Sequence, residues 1–344
     1  MHDAVAALIR QERPVDLPVW RSFWDRLHDG GLQRGETVAL LASLSTRMPD
    51  RETLTAMLDS LAERRPAVGS GHLGTAVNIV GTGGGPDTFN ISTAAALVAA
   101  AMGVRVVKTG SRAYTGTLGS VDLLERLGVP LSSSYEETHD CLERHGIAFA
   151  GSFVYPVELS LLGRSVLPLD VRKLGRFVNA LGPLLADMPV AAQLTGVADA
   201  RLAEGLRQAA AHVARGSGRC VWLCVNDLGA DELLSFAPNR VHTYEGAAED
   251  EFVLDPARLE LRSGSLDELR PRGDAVAFFR EVLSGRGAPA AAETVCLNAA
   301  ALAVAGRLTG DWRAALDAAR DVLRGGWALD LLARLRAEEV SAHV

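Results

Sequence analysis

Lysine is nearly absent from this 344-residue chain. Lys108 and Lys173 are the only two, although lysine and arginine together number 35. No run of basic residues occurs and the formal net charge is −7, so nucleic acid and anionic membranes are disfavoured as partners. A lysine retained in such an arginine-rich chain is informative, because its ammonium is a compact point charge that suits phosphate. Lys108 is therefore a candidate phosphate ligand. The alternative is that this lysine is retained by chance and has no role in binding.

Cysteine is also scarce, and its spacing excludes two classes of protein. Four cysteines are scattered along the chain, at 141, 220, 224 and 296, without the paired spacing of a zinc site or a disulfide framework. We predict reduced thiols. No apolar run is long enough to span a bilayer, and residues 1–3 lack a secretory signal pattern. We therefore expect a cytoplasmic protein with no membrane partner.

The hydrophobic pattern predicts helices first and alternating strands and helices later. Hydrophobic residues make up 48% of the chain, enough for one large or two modest domains. Up to about residue 65 the periodicity is helical, and Trp20, Phe23, Trp24 and Leu27 mark one helix face that ends at a glycine pair. Further along, we predict helices over 161–186, 201–215, 293–308 and 312–335, a strand over 219–225 and a hairpin over 241–254.

Residues 77–93 predict a buried strand, a glycine turn and the start of a helix. The helix continues through 94–102 and a second strand follows over 104–107, which makes a βαβ unit. Glycines let backbone N–H groups approach a ligand, and the helix N-terminus adds positive charge, so the turn predicts an anion site. It matches neither the dinucleotide fingerprint, because Pro86 stands at the third glycine position, nor the Walker loop. An ordinary tight turn is the alternative.

A second loop rich in glycine and hydroxyl groups follows Lys108, over residues 109–120. Its small side chains and free N–H groups also suit an anion, whereas a plain flexible loop is the alternative. Two such loops at the ends of adjacent parallel strands face each other where ligands usually bind.

An acidic pair, Asp231 and Glu232, follows the strand predicted over 219–225. Adjacent carboxylates after a strand can hold Mg²⁺ when a substrate supplies phosphate oxygens and water completes the shell. A solvated acidic turn is the alternative, and it is the favoured one for the pair taken alone.

Together these motifs resemble the anthranilate phosphoribosyltransferase family over nearly the whole chain. Residues 81–84 match its glycine motif and 88–93 the segment behind it, while 108–112 match its lysine loop. Residues 119–122, 178–184, 229–232 and 297–302 match its later motifs in the same order. The resemblance implies an α/β fold with a small N-terminal helical domain and a large domain whose central, mostly parallel sheet is flanked by helices. It places the small domain at 1–66 with part of 160–187, and the large one at 67–159 and 188–344.

The resemblance also implies an activity: transfer of a phosphoribosyl group from phosphoribosyl pyrophosphate (PRPP) to a small acceptor, with Mg²⁺, in a homodimer. Its metal ligands correspond to Ser92, Asp231 and Glu232 of this chain. No residue is implied as a covalent or acid–base catalyst. The residues implied to bind PRPP are Gly81, Thr82, Gly83, Gly84, Asp87, Thr88, Asn90, Ser92, Thr93, Lys108, Ser111, Gly116, Thr117 and Ser120.

The acceptor side departs from the family pattern. Thr109 and Ser111 replace a histidine and an asparagine of the lysine loop, and Tyr155 replaces a later histidine before proline. Either Asp170 or Arg172 takes the place of an arginine that meets anthranilate. With Glu158, these six residues are our predicted acceptor site. In the glycine motif, Gly85 replaces an aspartate, for which Asp87 can substitute.

Lost cationic donors and gained carboxylates predict an acceptor other than anthranilate. A pocket lined by Glu158 and Asp170 favours ammonium or hydroxyl groups, so we predict an amino sugar or aminocyclitol of specialised metabolism, such as antibiotic biosynthesis. One alternative is a divergent anthranilate phosphoribosyltransferase of tryptophan biosynthesis. Another is a non-catalytic relative that binds nucleic acid, which the net charge of −7 disfavours. Pyrimidine nucleoside phosphorylases share the fold but lack the acidic metal pair.

Overall fold

A seven-stranded sheet forms the centre of the molecule, seen in a computed structural model that describes residues 1–65, 73–112, 118–169 and 174–342, with side chains described as far as 336. Its strand order is β3-β2-β1-β4-β5-β6-β7. The first five strands in this order are parallel, and β6 and β7 form an antiparallel extension. The strands are β1 Val77–Gly81, β2 Val106–Lys108, β3 Ile147–Phe149, β4 Ala192–Gly196, β5 Cys220–Asn226, β6 Asn239–Glu245 and β7 Ala248–Leu254.

Helices cover both faces of the sheet. In the described residues they are α1 Asp3–Arg10, α2 Leu17–His28, α3 Arg34–Thr46, α4 Arg51–Ala62, α5 Ile91–Ala101, α6 Ser120–Leu127, α7 Tyr135–His145, α8 Val157–Ser165, α9 Arg176–Leu185, α10 Ala203–Ser217, α11 Ala275–Leu283, α12 Pro289–Ala305, α13 Trp312–Gly325 and α14 Trp327–Ala342. This mixed α/β architecture with a mostly parallel sheet confirms the predicted fold class. Among the described helices, none is both long and apolar enough to cross a membrane.

Alternation along β5 distributes side chains between two hydrophobic cores. Trp222 and Cys224 point to one face, where α5, α12, α13 and α14 form the larger core. Val221 and Leu223 point to the other face, where they pack with α10. The core on that second face continues into α1–α4, α8 and α9. The N-terminal helices are therefore attached to the sheet through α10, and the division into two domains stays a prediction whose boundary at 66–67 lies outside the described residues.

The N-terminal helices α1–α4 are closed around an aromatic cluster. The rings of Trp20 and Trp24 stack with centroids 5.5 Å apart, and Phe23 meets Trp24 edge to face at 5.1 Å. Both indole nitrogens are satisfied: Trp20 donates to the Thr53 carbonyl, and Trp24 donates to Ser60 Oγ. The cluster needs no cofactor, in agreement with the apolar stripe in the sequence.

Two predicted helices are each interrupted. The helix predicted over 161–186 is wrong as a single element, because α8 ends at Ser165 and α9 begins at Arg176. Pro168 explains the break, since proline lacks a donor and disfavours helical backbone at Leu167. The helix predicted over 312–335 is two helices, separated at Gly326, whose φ of 73° reverses the chain.

The parallel strands bring the predicted motifs to one edge of the sheet. The chain leaves β1 toward β2 on one side and later returns to β4 on the other, so β1 is the point where strand order reverses. Ligands in open α/β sheets bind at the carboxyl ends of strands beside such a point. The glycine loop follows β1, Lys108 ends β2 and Asn226 ends β5. The predicted motifs therefore meet at this edge of the sheet.

Candidate functional site

A cavity of about 620 Å³ opens at the carboxyl edge of the sheet, a size typical of small-molecule sites. We call its two sides the sheet wall and the helical wall. The sheet wall consists of residues 81–85 of the glycine loop with Ser92, Lys108, Asp231 and Glu232. The helical wall consists of Leu41, Tyr155, Leu159, Leu162, Gly163, Val178 and Asn179. A ligand in this cavity therefore meets donors and charge on one side and mostly apolar groups on the other.

Asp231 packs closely against Gly81 and Gly196, and a Cβ at either position would overlap it. The Gly83 N–H donates to Asp231 Oδ2 over 2.7 Å. A Cβ at Gly81 would lie 2.0 Å from the same oxygen, and one at Gly196 would lie 1.7 Å from the Asp231 carbonyl oxygen. Glycine at 81 and 196 is thus needed for close approach of the acidic loop to the ends of β1 and β4.

Three buried asparagines hold the loop that carries the acidic pair. Asn226 accepts from the Ala230 N–H and donates to the Ala230 and Glu232 carbonyls. Asn239 accepts from the Leu234 N–H and donates back to the Leu234 carbonyl. Asn298 of α12 does the same for Leu233, with distances of 3.2 and 2.8 Å. These side chains replace the strand partners that the loop backbone lacks, and so fix the direction of both carboxylates.

Burial makes the acidic pair costly in its ionised form. It raises the pKa of Asp231, and burial together with the neighbouring Asp231 charge raises the pKa of Glu232 well above its usual value. Glu232 Oε2 is buried without a hydrogen-bond partner. A divalent cation would satisfy that oxygen and neutralise the pair. In the described parts of the chain no three acidic, histidine or cysteine side chains cluster as metal ligands, so further oxygens must come from a hydroxyl, a substrate or water.

Lys108 is buried between β1 and the acidic loop. Its Nζ donates to the carbonyls of Ile79 and Thr109 at 3.0 and 3.1 Å. Burial lowers the pKa of Lys108 to about 8, although the Glu232 and Asp231 charges oppose the shift. The ammonium therefore supplies positive charge to the sheet wall, in agreement with its retention in a lysine-poor chain.

The structure brings most of the residues predicted to bind PRPP to this cavity. Eleven of the fourteen line it: Gly81, Thr82, Gly83, Gly84, Asp87, Thr88, Asn90, Ser92, Lys108, Ser111 and Ser120. Thr93 does not; it is fully buried behind the wall in the first turn of α5, and its Oγ1 has no partner. The predictions for Gly116 and Thr117 lie outside the described residues.

Thr109, predicted to bind the acceptor, faces away from the cavity. It is 1% exposed, and its Oγ1 accepts a 3.0 Å hydrogen bond from Asn78 Nδ2. Tyr155 lines the cavity, and the neighbouring Thr109 hydroxyl lowers the pKa of its phenol, although burial raises that pKa overall. Thr109 thus lies between Asn78 and Tyr155 and does not line the cavity.

Glu158, also predicted to bind the acceptor, is held in an ion-pair cluster beside the cavity. Its side chain is 2% exposed, and its Oε1 lies 3.0 Å from His28 Nε2 and 3.8 Å from an Arg64 nitrogen. It is not part of the helical wall, because these contacts turn it toward α2 and the turn that follows α4. Because Glu158 does not line the cavity, it gives no support to the expected carboxylate-lined pocket. The predictions for Asp170 and Arg172 lie outside the described residues.

We expect Glu158→Gln to affect stability and not substrate affinity. Glutamine loses the charge that faces His28 and Arg64, but both partners remain accessible to water, so the cost should be about 1–3 kcal/mol. Urea unfolding measures this cost, and steady-state kinetics should give unchanged KM values for both substrates. A large rise in KM for the acceptor alone would show that Glu158 contacts it after all.

The remaining polar groups near the helical wall are neutral or already paired. Ser111 lines the cavity as predicted. Arg112 also lines it, but its guanidinium is bound by Asp122 and Glu125 of α6. Asn179 of α9 adds an amide. In the described residues, this side of the cavity thus offers hydroxyl and amide groups.

Sequence reasoning does not find the residues that position the site. Asn298 stands out only as part of a family motif, and Asn226 and Asn239 carry no signal beyond their place after or before a strand. Leu41 of α3 and Gly163 of α8 reach the cavity from elements far apart in the chain. Only the packing of α3 and α8 against α9 shows that they meet.

Known proteins resemble this chain over most of its length. A family model described as "Glycosyl transferase family, a/b domain" matches residues 73–329. The chain is 35% identical over 315 residues to the anthranilate phosphoribosyltransferase of Cenarchaeum symbiosum (strain A), covering 90% of this chain and 89% of that protein. It is 34% identical over 339 residues to that of Methylobacterium sp. (strain 4-46), covering 96% and 95%.

Solved structures are similar as well. The crystal structure of anthranilate phosphoribosyltransferase from Thermus thermophilus superposes with a TM-score of 0.79 at 32% identity, covering 98% of this chain and 99% of that one. The Saccharomyces cerevisiae enzyme in complex with PRPP and Mg superposes with a TM-score of 0.78 at 21% identity, covering 98% and 97%, which shows a shared fold.

Proposed function

The chain belongs to the anthranilate phosphoribosyltransferase family of glycosyl transferases, and from this membership we propose how its cavity divides between two substrates. The protein is a PRPP-dependent phosphoribosyltransferase that uses Mg²⁺. We assign PRPP to the sheet wall and the acceptor to the helical wall. The observation that carries the assignment is that the buried ammonium of Lys108, the glycine loop and the acidic pair all lie on the sheet wall.

The donor subsite is proposed from groups that suit a diphosphate. Residues 81–84 offer backbone N–H groups, and Asn90 and Ser92 stand at the N-terminus of α5, where the helix dipole favours negative charge. Lys108 adds a full positive charge. Thr82 is itself fixed, because its Oγ1 accepts from the Ala198 N–H and its N–H donates to the Gly196 carbonyl. The donor would therefore meet a preformed cradle.

Asp231, Glu232 and the hydroxyl of Ser92 are the residues proposed to hold Mg²⁺. The unpartnered Glu232 Oε2 and the raised pKa values of the pair support this proposal. When bound, the ion neutralises charge that develops on the departing pyrophosphate oxygens. The chain contributes aimed donors and orientation, and no side chain in the described part of the cavity is placed as a nucleophile. Catalysis is then mainly a matter of positioning and electrostatics.

For the acceptor, we propose a small polyhydroxylated or amino-substituted ring, such as an amino sugar or aminocyclitol of a specialised pathway, rather than anthranilate. Anthranilate carries a carboxylate, for which a cationic partner is expected. On the helical wall the described side chains are neutral, and Arg112 is already bound by two carboxylates. Tyr155, Ser111 and Asn179 instead supply groups that can donate to and accept from hydroxyls.

The second candidate is a divergent anthranilate phosphoribosyltransferase. It is favoured by identities near 35% to enzymes of that name over about nine-tenths of the chain. One assay separates the two: pyrophosphate release from PRPP and Mg²⁺ with anthranilate, glucosamine or 2-deoxystreptamine as acceptor. We expect turnover with the amino-substituted rings and little with anthranilate. Rapid turnover of anthranilate would establish the second candidate and end the first.

We also propose an oligomeric state for the protein and the absence of a nucleic-acid partner. We propose a homodimer, as implied by the family resemblance, and light scattering tests it against a monomer.

Nucleic acid is not proposed as a partner, since the net charge is −7. A gel-shift at physiological salt checks this directly, because retention of DNA would contradict it.

PRPP affinity should fall as the pH rises above about 8. The pKa of Lys108 is lowered to about 8, so its side chain is charged at pH 7 and loses its proton as the pH rises above 8. The second pKa of a phosphate monoester is about 6, so the PRPP charge stays nearly constant above pH 8. We expect the Kd of PRPP to rise up to about tenfold per pH unit between 8 and 9.5.

Calorimetric titration with Mg²⁺ present measures this profile. Lys108→Met is the control: it should bind PRPP weakly at pH 7 and show little change up to pH 9.5. A wild-type profile as flat as that of the variant would remove Lys108 from the donor subsite.

A further inference from the structure

Gly163 has no structural reason to be glycine. It lies in the last turn of α8, where its backbone is helical and suits any L residue. A Cβ added there would meet no atom of the described residues within 4 Å, the backbone of its own helix aside. Glycine in a helix is less favourable than alanine, and the packing of the described residues does not account for glycine at this position.

Two other helical glycines have a structural reason, whereas the exposed helical glycines Gly35 and Gly216 have no atom of the described residues near an added Cβ. Gly205 in α10 makes room for Met48, whose Cγ would lie 2.3 Å from an added Cβ. Gly182 in α9 precedes Pro183, and the residue before proline is sterically restricted. Gly163 has neither a neighbour to clear nor a proline behind it.

What Gly163 does have is a place on the helical wall of the cavity. It follows Leu162, which also lines the cavity, and Leu159 lies one turn earlier on the same helix. The described residues thus leave open space at Gly163, where this residue borders the cavity. With the donor on the sheet wall, that space belongs to the acceptor.

We propose that Gly163 is a specificity-determining residue that makes room for the bulk of a non-planar acceptor ring. This rests on the proposed division of the cavity between donor and acceptor. A side chain at 163 would narrow the helical wall without touching the glycine loop or the acidic pair. It should therefore exclude acceptors in order of their thickness and leave PRPP binding unchanged.

The test is a pair of substitutions, Gly163→Ala and Gly163→Val, with Gly216→Ala as the matched control. Gly216 also lies in the last turn of a helix, α10, is exposed, and has no atom within 4 Å of an added Cβ, but it does not line the cavity. Both alanine variants should keep or raise Tm, by about 1–3 °C, because alanine favours the helix. A change in acceptor KM that is seen only in the Gly163 variants can then not be caused by altered folding or helix propensity.

We expect KM for 2-deoxystreptamine to rise about threefold in Gly163→Ala and more than tenfold in Gly163→Val, with the Kd of PRPP unchanged within twofold in all three variants. Gly216→Ala should match the wild type throughout. Unchanged kcat/KM for every acceptor in Gly163→Val would overturn the proposal, as would an equal loss of PRPP affinity. If anthranilate is the acceptor that turns over, the proposed acceptor class fails, and a raised KM for anthranilate in Gly163→Val would still support Gly163 as the residue that limits acceptor size.

Discussion

Replacing Gly196 with alanine is expected to abolish most Mg²⁺-dependent turnover and to destabilise the fold by about 2–4 kcal/mol. The new Cβ would lie 1.7 Å from the Asp231 carbonyl oxygen and 2.1 Å from its carbonyl carbon. These are backbone atoms, so no side-chain rotation can relieve the overlap. The acidic loop must move away from β4, and both carboxylates move with it. We expect activity to fall more than 100-fold.

Urea unfolding and pyrophosphate-release kinetics measure the two effects of Gly196→Ala. Gly35→Ala is the control, because Gly35 lies in the first turn of α3 and an added Cβ there meets nothing within 4 Å. That variant should differ from the wild type by less than about 0.5 kcal/mol. Wild-type activity in Gly196→Ala would contradict the close approach of the acidic loop to β4.

Asn298→Ala should weaken metal use beyond what its loss of stability explains. Alanine leaves the buried N–H and carbonyl of Leu233 without partners, at a cost of about 2–4 kcal/mol. The loop that carries Asp231 and Glu232 loses its anchor to α12. We expect the Mg²⁺ concentration for half-maximal activity to rise at least tenfold, measured at a temperature where the variant stays folded.

Val295→Ala on the same helix is the matched control for Asn298→Ala. Val295 is fully buried in the larger core, and its truncation should cost about 1–3 kcal/mol without removing any hydrogen bond of the acidic loop. Its Mg²⁺ dependence should equal that of the wild type. If Val295→Ala shifted the Mg²⁺ dependence as much as Asn298→Ala, general loosening of the core would replace our explanation.

Regular hydrophobic patterns make most elements predictable. β5 alternates between two cores, and α5 is apolar from Ala94 onward because it is buried on nearly all sides. The pattern does not predict β4, because Gln193 and Thr195 interrupt its apolar residues. In the fold those polar side chains satisfy each other, as Gln193 donates to Thr195 Oγ1 and to the Pro183 carbonyl. A strand buried in the middle of a sheet can carry such a network only when tertiary partners exist, and these are invisible in sequence.

The sheet wall of the cavity is predictable for a reason that does not extend to the residues predicted to bind the acceptor. Glycine loops and acidic pairs place backbone and short side chains, so their positions follow from where strands end. Glu158 and Thr109 depend on longer-range contacts, with His28 in one case and Asn78 in the other. Which way such side chains turn is decided by partners 130 and 31 residues away. Local sequence can identify these residues as unusual but cannot orient them.

The two walls of the cavity are supported by different hydrophobic cores, and this has an evolutionary consequence. α5 and α12, behind the sheet wall, belong to the larger core, whereas α3, α8 and α9 belong to the core of the N-terminal helices. Because effects on stability add for sites without shared partners, changes in α8 can accumulate without a penalty at the acidic loop. A duplicated gene can thus explore new acceptors while inheriting its donor chemistry intact. The fold separates the part of the enzyme that can diversify from the part that must not.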